Sequence, residues 1–179
     1  MSQQRRGFKE SQKPPKGFEP AREVQWAAFL RDTPAFVTRV PKRGAKGRGI
    51  NYERKVQRIL LDRYGDRYLP NPWVLFNDGS AYKPRYCQPD GLLIDFYRGK
   101  ITIVEIKYNH CELAWWQLHK LYLPVVSKIF GPNWEYPCCE VVKWFDPNTL
   151  VPESIQLQRD IEFTQPGQWG VNILNPSRL

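Results

Sequence analysis

Hydrophobic residues recur at helical spacing in two stretches of the chain, residues 50–64 and residues 112–130. A repeat every three to four residues is typical of an amphipathic helix that buries one face. Each stretch is followed by a glycine, Gly65 and Gly131, and glycine commonly ends a helix because it tolerates the left-handed conformation. Pro124 is expected to disturb the second helix, since proline lacks a backbone N–H. The pattern therefore predicts two helices packed against a common core.

Runs of β-branched and aromatic residues predict four strands, at 73–76, 91–96, 101–108 and 140–145. The second and third runs flank residues 97–100, which is a hairpin signal. The third run is apolar on both faces in its first half, as is typical of a central, buried strand. In chain order the elements read α-β-β-β-α-β. This order predicts an α/β fold with a mixed four-stranded sheet flanked by helices.

The two ends of the chain have a different character from this core, which spans residues 49–145. Residues 1–48 are polar and basic, with several prolines, and predict a partly disordered N-terminal arm. A short apolar stretch predicts a helix within residues 22–31. Residues 146–179 are rich in Pro and Asn and predict an irregular C-terminal extension that packs on the core.

Positive charge is concentrated in the first quarter of the chain. The whole chain carries a net charge of +9, and residues 1–48 hold 12 Lys and Arg against 4 Asp and Glu. This excess favours a polyanionic partner, nucleic acid before a membrane surface. Four cations lie among glycines within residues 42–49, and we expect this loop to follow a phosphate backbone; a solubilising tail is the alternative. The candidate DNA contacts are Lys42, Arg43, Lys46, Arg48, Lys83 and Arg85.

Composition excludes several other classes of protein. With 41% hydrophobic and 14% aromatic residues, the chain can bury a core, so global disorder is excluded. No apolar run reaches the roughly 18–20 residues of a membrane span, and no apolar stretch follows the N-terminus as in a secretory signal. The four cysteines lack metal-binding spacing, which predicts reduced thiols and an intracellular, cytoplasmic location. We expect no membrane partner and no small-molecule organic cofactor, and the oligomeric state is left open.

Three charged residues are predicted to converge at one end of the hairpin. A two-residue turn at Arg98 and Gly99 would place Asp90 opposite Lys107. The two-residue period of a strand places Glu105 on the same face as Lys107. Two carboxylates and one lysine at the end of a buried strand are costly unless something compensates their charge. The alternative to a reactive site here is a cross-strand salt-bridge cluster with no chemistry.

Two further polar residues are predicted to face the same region from the helices. Glu53 lies three residues before Val56 in the apolar stripe of the first helix, and Gln117 borders the apolar stripe of the second. Three carboxylates against one lysine form a negative, oxygen-rich site, which suits Mg²⁺ or Mn²⁺ rather than zinc. Lys107 could orient a water molecule or stabilise developing charge beside such a metal.

The order of these residues resembles the PD-(D/E)XK nuclease superfamily. The matching segments are Pro89-Asp90, then fourteen residues, then Glu105-Ile106-Lys107, preceded by a helical Gly49-Ile50-Asn51-Tyr52-Glu53 segment. The resemblance implies a restriction-endonuclease-like core over residues 49–145. It implies that Asp90, Glu105 and the Ile106 carbonyl bind the metal and that Lys107 serves the attacking water. It also implies that Glu53 assists through water or a second metal.

Gln117 falls where the exonuclease-like and junction-resolvase branches of this superfamily carry a polar residue after the E-x-K strand. The exonuclease-like branch usually carries a Gln followed four residues later by a Tyr. Here position 121 is Leu, and the tyrosine is Tyr122.

The leading functional prediction is a metal-dependent DNA nuclease without sequence specificity, either structure-specific or exonucleolytic. Trp115 and Trp116 could stack on unpaired bases; alternatively, one is a core residue and the other covers an edge. A catalytically silent nuclease-fold module that binds DNA or protein is the main alternative. An adaptor whose basic tail is its function is a third reading.

Overall fold

The computed structural model describes residues 13–38 and 44–144 with their side chains, and the backbone of four short strands outside those ranges. In chain order the elements are β1 (Gly7–Phe8), β2 (Trp26–Phe29), α1 (Ala45–Tyr64), β3 (Tyr68–Pro70), β4 (Val74–Asn77), β5 (Arg85–Cys87), β6 (Gly91–Asp95), β7 (Lys100–Asn109), α2 (Glu112–Gln117), α3 (Leu123–Phe130), β8 (Cys138–Trp144), β9 (Val151–Pro152), β10 (Ile155–Gln158) and β11 (Trp169–Ile173). A 3₁₀ turn, Gly65–Arg67, follows α1, and a π-helical turn, Leu118–Tyr122, joins α2 to α3.

The main sheet is mixed and has the strand order β10-β11-β8-β7-β6-β3. The β6–β7 and β3–β6 pairs are antiparallel, whereas β7–β8, β8–β11 and β10–β11 are parallel. The ten-residue β7 lies inside the sheet, and its residues from Ile101 to Ile106 are buried. The predicted α/β class, the mixed sheet and the central buried strand are confirmed.

Helix α1 covers one face of the sheet through a continuous apolar stripe. Tyr52, Val56 and Leu60 are buried against residues of β6, β7 and β8. The helix begins at Ala45 rather than at residue 50, so the second half of the predicted basic loop is helical. Gly44 adopts a positive φ of 68° immediately before the helix, which glycine permits at little cost. Lys46 and Arg48 consequently project from the first turns of α1.

The other face of the sheet is covered by α2, the π-helical turn and α3, which together form the predicted helix at 112–130. The irregularity lies directly before Pro124, as predicted. Pro124 has no N–H for the carbonyl of Lys120 four residues earlier. That carbonyl instead accepts a hydrogen bond from the backbone N–H of Ala21, at 2.7 Å. The N-terminal segment therefore satisfies the acceptor that the proline leaves unpaired.

One predicted strand is confirmed as a strand but lies in a different sheet, and one further strand was not predicted. The predicted strand at 73–76 is β4, and it belongs to a separate antiparallel sheet of order β2-β4-β5 rather than to the main sheet. The edge of the main sheet is the three-residue strand β3, which was not predicted. Only one of its residues, Tyr68, is buried, so β3 shows no alternation of apolar and polar positions. Asn71, with a φ of 48°, Pro72 and Trp73 then separate β3 from β4.

The predictions for the two ends of the chain also need correction. No helix forms within residues 22–31; instead β2 pairs antiparallel with β4, with Phe29 opposite Val74. The apolar positions of this stretch in fact repeat every two residues, which is the period of a strand. At the C-terminal end the extension is not wholly irregular, because β11 extends the main sheet beside β8. β10 pairs with β11 and β9 pairs with β1, and the rest of the extension lies outside the described residues.

Candidate active site

The hairpin formed by β6 and β7 has a four-residue loop, not the predicted two-residue turn. Asp95 pairs with Lys100, and Gly91 pairs with Val104. The Asp95 Oδ1 atom accepts hydrogen bonds from the backbone N–H groups of Tyr97 and Arg98, at 3.1 and 3.2 Å. These bonds stabilise the longer loop. Continuing this register places Asp90 opposite Glu105 rather than Lys107. The shift is two residues, so every side chain keeps its predicted face.

Asp90, Glu105 and Lys107 do converge, as predicted. The Lys107 ammonium forms an ion pair with Glu105 Oε1. The Ile106 backbone N–H donates a hydrogen bond of 2.6 Å to Asp90 Oδ2, which fixes the Asp90 carboxylate against β7. Glu105 is only 1% exposed, and its Oε2 atom has no hydrogen-bond partner among the described residues. The cluster thus contains an oxygen whose buried lone pairs are available to a ligand.

Burial dominates the electrostatics of this cluster. Desolvation raises the pKa of Glu105 to about 8, and the nearby Asp90 charge adds to the effect, against the opposing influence of Lys107. Burial also raises the pKa of Asp90, although the Ile106 N–H and the Lys107 charge oppose the rise. Burial by itself would lower the pKa of Lys107, but the Glu105 and Asp90 charges outweigh it and raise that pKa.

Gln117 and Tyr122 join the site because of the π-helical turn. Gln117 Nε2 donates a hydrogen bond of 3.1 Å to the Tyr122 hydroxyl, five residues later. A π-helical turn aligns residues five apart, whereas an α-helix aligns residues four apart. Burial raises the pKa of Tyr122 well above its ordinary value, and the charges of Glu105 and Asp90 raise it further. Tyr122 therefore lies close to the carboxylate cluster, and Gln117 reaches the site through it.

The side-chain oxygen of Gln117 adds a second orphan acceptor to this region. The Oε1 atom is buried and has no hydrogen-bond partner among the described residues. The amide nitrogen donates one of its two N–H groups to Tyr122, which fixes the orientation of the side chain and leaves Oε1 as the unpartnered acceptor.

Glu53 reaches the site indirectly, from the helix on the opposite face of the sheet. Gln57 Nε2 lies 3.3 Å from Glu53 Oε1 and 3.3 Å from the backbone carbonyl of Asp90. The Tyr68 hydroxyl donates to the same carbonyl at 3.2 Å. Burial raises the pKa of Tyr68, and the Asp90 and Glu53 charges add to this effect. Gln57 and Tyr68 were not predicted; the position of Gln57, one helical turn after Glu53, was the available signal.

A second buried acidic residue, Glu140, was also missed. It is paired in register with Glu105 on the neighbouring parallel strand, so both carboxylates lie on the same face. Its Oε2 atom is 2.7 Å from His110 Nδ1, and both of these side chains are fully buried. Burial raises the pKa of Glu140, although His110 opposes the rise. A glutamate inside the apolar run of β8 was the signal in the sequence.

The predicted DNA contacts have different outcomes. Lys42 and Arg43 lie outside the described residues. Lys46, Arg48 and Lys83 are exposed, so they are able to meet a partner.

Arg85, another predicted DNA contact, is engaged within the protein instead. It pairs with buried Asp78 at 2.7 Å and also donates to the carbonyls of Glu19 and Pro20, at 2.8 and 3.0 Å. Its guanidinium therefore holds the N-terminal segment in place.

The prediction that Trp115 and Trp116 stack on bases is wrong. Both residues are buried, with Trp116 packed 6.1 Å from Phe18 and Trp115 stacked 4.9 Å from His119 between ring centroids. Neither ring face is open to a nucleotide, because each belongs to the core that joins α2 to the N-terminal segment.

The donor set of the cluster is made of oxygen atoms. Across residues 13–38 and 44–144, no group of three or more His, Cys, Asp or Glu side chains is placed to hold a metal ion. The predicted ligand set needs only two carboxylates and the Ile106 carbonyl, and the orphan oxygen of Glu105 fits a cation.

Comparison with known proteins adds no assignment. No family model, curated protein or solved structure matches this chain. None of the described helices combines the length and apolar composition that crossing a membrane requires.

Proposed function

We propose that this protein is a divalent-metal-dependent deoxyribonuclease that hydrolyses phosphodiester bonds without sequence specificity. The observation that carries the proposal is the buried cluster of Asp90, Glu105 and Lys107, in which two carboxylates share one ammonium group. A salt bridge alone does not account for Glu105 Oε2, because an unpaired buried polar atom costs about 1–3 kcal/mol. A bound cation would satisfy that oxygen.

Mg²⁺ or Mn²⁺ suits this donor set, because hard cations prefer carboxylate and carbonyl oxygens and retain several waters. Asp90, Glu105 and the Ile106 carbonyl would hold the ion, with Glu53 acting through a water or a second metal. When bound, such an ion polarises a phosphate and lowers the pKa of a water molecule.

Each remaining residue of the site has a role that follows from its contacts. Lys107 is held by Glu105 and is one-quarter exposed, so its ammonium can orient an attacking water and stabilise charge that develops on the phosphate. The Gln117 carbonyl oxygen can accept a hydrogen bond from that water, since Tyr122 already fixes the amide nitrogen. Asp90 is preorganised by the Ile106 N–H.

The resemblance to the PD-(D/E)XK superfamily supports the same proposal and a restriction-endonuclease-like identity for the fold. Asp90, Glu105 and Lys107 stand in the order and spacing of that motif. The contact between Gln117 and Tyr122 also supports a link to the exonuclease-like branch, because the π-helical turn restores the pairing that the extra residue would otherwise break.

The proposal is tested with labelled linear, circular, flap and four-way-junction DNA in Mg²⁺, Mn²⁺ or EDTA. We expect cleavage with either metal, none in EDTA, and loss of cleavage in Asp90→Asn with the melting temperature retained. Asp62→Asn, which alters an exposed carboxylate of α1, is the matched control and should cleave normally. If the wild type cleaves no substrate and calorimetry detects no Mn²⁺ binding, the proposal is wrong and the alternative of a binding module is favoured.

A further inference from the structure

A group of cationic and aromatic side chains lies at the end of β7 and β8 and takes no part in the carboxylate cluster. We call it the Trp144 surface, and it consists of Arg48, Tyr108, Lys143 and Trp144. Lys143 Nζ lies 5.2 Å from the ring centroid of Tyr108 and 5.6 Å from that of Trp144. A single ammonium group therefore contacts two aromatic rings at the edge of the sheet.

The Trp144 side chain is unusually exposed for a large aromatic residue, with 51% of its surface open to solvent. Its backbone is held in place: the carbonyl accepts a hydrogen bond of 3.2 Å from the His110 N–H, and the residue pairs with Asn109 across the sheet. The backbone of Trp144 is thus fixed while its indole ring remains exposed. A ring in this position is suited to stack on a planar partner.

The local charge of this surface is positive. The Tyr108 hydroxyl accepts a hydrogen bond from the Trp144 side chain, and the charges of Lys143 and Arg48 act on the same hydroxyl. Arg48 projects from the start of α1, and the first turn of this helix contains no acidic residue that would neutralise its charge. The surface thus offers two cations and a phenol hydroxyl to an anion, beside an exposed indole.

The surface adjoins the proposed active site along the sheet. Tyr108 directly follows Lys107 in β7, and Trp144 lies two residues beyond Val142, the register partner of Lys107. At a rise of about 3.3 Å per residue, the two positions are separated by about 7 Å along the strand. Tyr108 and Lys143 leave the sheet on the face that carries α1, whereas Glu105 and Lys107 leave it on the opposite face, so a strand that occupies both places passes around the end of β7 and β8.

We propose that the Trp144 surface binds unpaired nucleotides, with a base stacked on Trp144 and the adjoining phosphate held by Lys143 and Arg48. The inference rests on the proposed nuclease function and names its substrate class: a single-stranded segment or frayed end next to the cleaved bond. Trp144 stacks on the exposed face of an unpaired base, and a base inside an intact duplex has no exposed face. The same contacts suit single-stranded DNA and RNA.

The test measures binding in EDTA, so that it does not depend on cleavage. Fluorescence anisotropy compares a labelled single-stranded DNA, a single-stranded RNA of the same sequence and a blunt DNA duplex. We expect Trp144→Ala to weaken single-strand binding roughly tenfold while changing duplex binding less than about twofold. Lys143→Ala should weaken both and reduce the salt dependence, because it removes a phosphate contact. Whichever single strand shows the larger Trp144 effect identifies the sugar.

Two matched variants separate this surface from general effects. Trp26→Ala removes another exposed indole, on β2, and Lys128→Ala removes another exposed cation, at the end of α3; both should bind single strands as the wild type does. Equal loss on single strand and duplex in Trp144→Ala, or no loss at all, would overturn the inference even if the protein cleaves DNA. Conversely, Trp144-dependent binding by a protein that never cleaves would overturn the proposed function alone.

Discussion

Glu105 and Glu140 are register partners on adjacent parallel strands, and both carboxyl groups are removed from solvent. Their partners differ: Glu105 pairs with Lys107, whereas Glu140 pairs with His110. Each carboxyl group also keeps one oxygen without a partner among the described residues. When both groups are ionised, two like charges side by side in a buried sheet destabilise the fold, and Lys107 and His110 offset that cost.

The first prediction concerns the Glu140–His110 pair. Glu140→Ala should lower stability by about 3–5 kcal/mol, because it leaves His110 buried without its acceptor. The double variant Glu140→Leu with His110→Leu should recover most of that loss, since an apolar pair needs no compensating charge. Chemical denaturation of Glu140→Leu, His110→Leu and the double variant checks the coupling. Additive losses would show that the pair contributes nothing as a unit.

The second prediction concerns Lys107. Lys107→Ala should reduce the cleavage rate by about 10²–10³-fold, comparable to the loss of one preorganised electrostatic donor, while DNA affinity changes little. Metal binding should persist or tighten, because both carboxyl ligands are retained and a competing cation is removed. Cleavage rate, affinity, calorimetry and melting temperature on this variant form the measurement.

The outcomes for Lys107→Ala separate three roles. A rate loss with intact affinity supports the nuclease. A fall in melting temperature with no effect on cleavage would indicate a structural salt bridge, with two buried carboxylates left unpaired. Cleavage as fast as that of the wild type would contradict the mechanism proposed here.

The third prediction concerns pH. The pKa of Glu105 is about 8 in the folded chain against an ordinary value of 4.5, so the folded state binds more protons between these values. Stability of the metal-free protein should therefore fall as the pH rises through this window. Each unit of difference corresponds to about 1.4 kcal/mol. Denaturation at a series of pH values in EDTA measures the slope.

Glu105→Gln is the control for this slope, since an amide does not titrate. Its stability should depend less on pH than that of the wild type. Mg²⁺ should stabilise the wild type more at pH 8 than at pH 5, because the metal competes with the proton on Glu105. An identical pH profile in the variant would show that Glu105 does not carry the effect.

The fourth prediction concerns the basic start of α1. Lys46→Ala combined with Arg48→Ala should lower the slope of log affinity against log salt by up to about 0.9 per lost contact on duplex DNA. Binding titrations at several salt concentrations measure the slope. Lys128→Ala is the matched control. An unchanged slope in the double variant would mean that these cations only contribute to solubility.

Much of the site could be predicted because a strand has a period of two. The loop length of the hairpin was wrong by two residues, yet Asp90, Glu105 and Lys107 kept their common face. An error of one residue would have moved the whole set to the other face. The convergence of the cluster was therefore predictable from alternation alone, whereas the partner opposite Asp90 was not.

The unpredicted features depend on contacts between distant parts of the chain. Spacing placed Gln117 and Tyr122 on different faces of an ideal α-helix, and the π-helical turn that joins them depends on Pro124 and on a carbonyl held by Ala21. Trp115 and Trp116 are buried because the N-terminal segment covers them. Nothing local in the sequence records either contact.

The hydrogen bond from Ala21 to Lys120 also governs when the fold can be completed during synthesis. Phe18 packs on Trp116 in the same region. The segment that contains Phe18 and Ala21 is therefore translated about a hundred residues before Trp116 and Lys120, its partners. Ribosomes add roughly 5–20 residues per second, so the segment waits for several seconds beside unfinished chain. Closing so long a loop is slow, and β2 has no partner before β4 emerges. A segment that is made well before its partners is thus expected to take its final place only after β4 and the helix at 112–130 have formed.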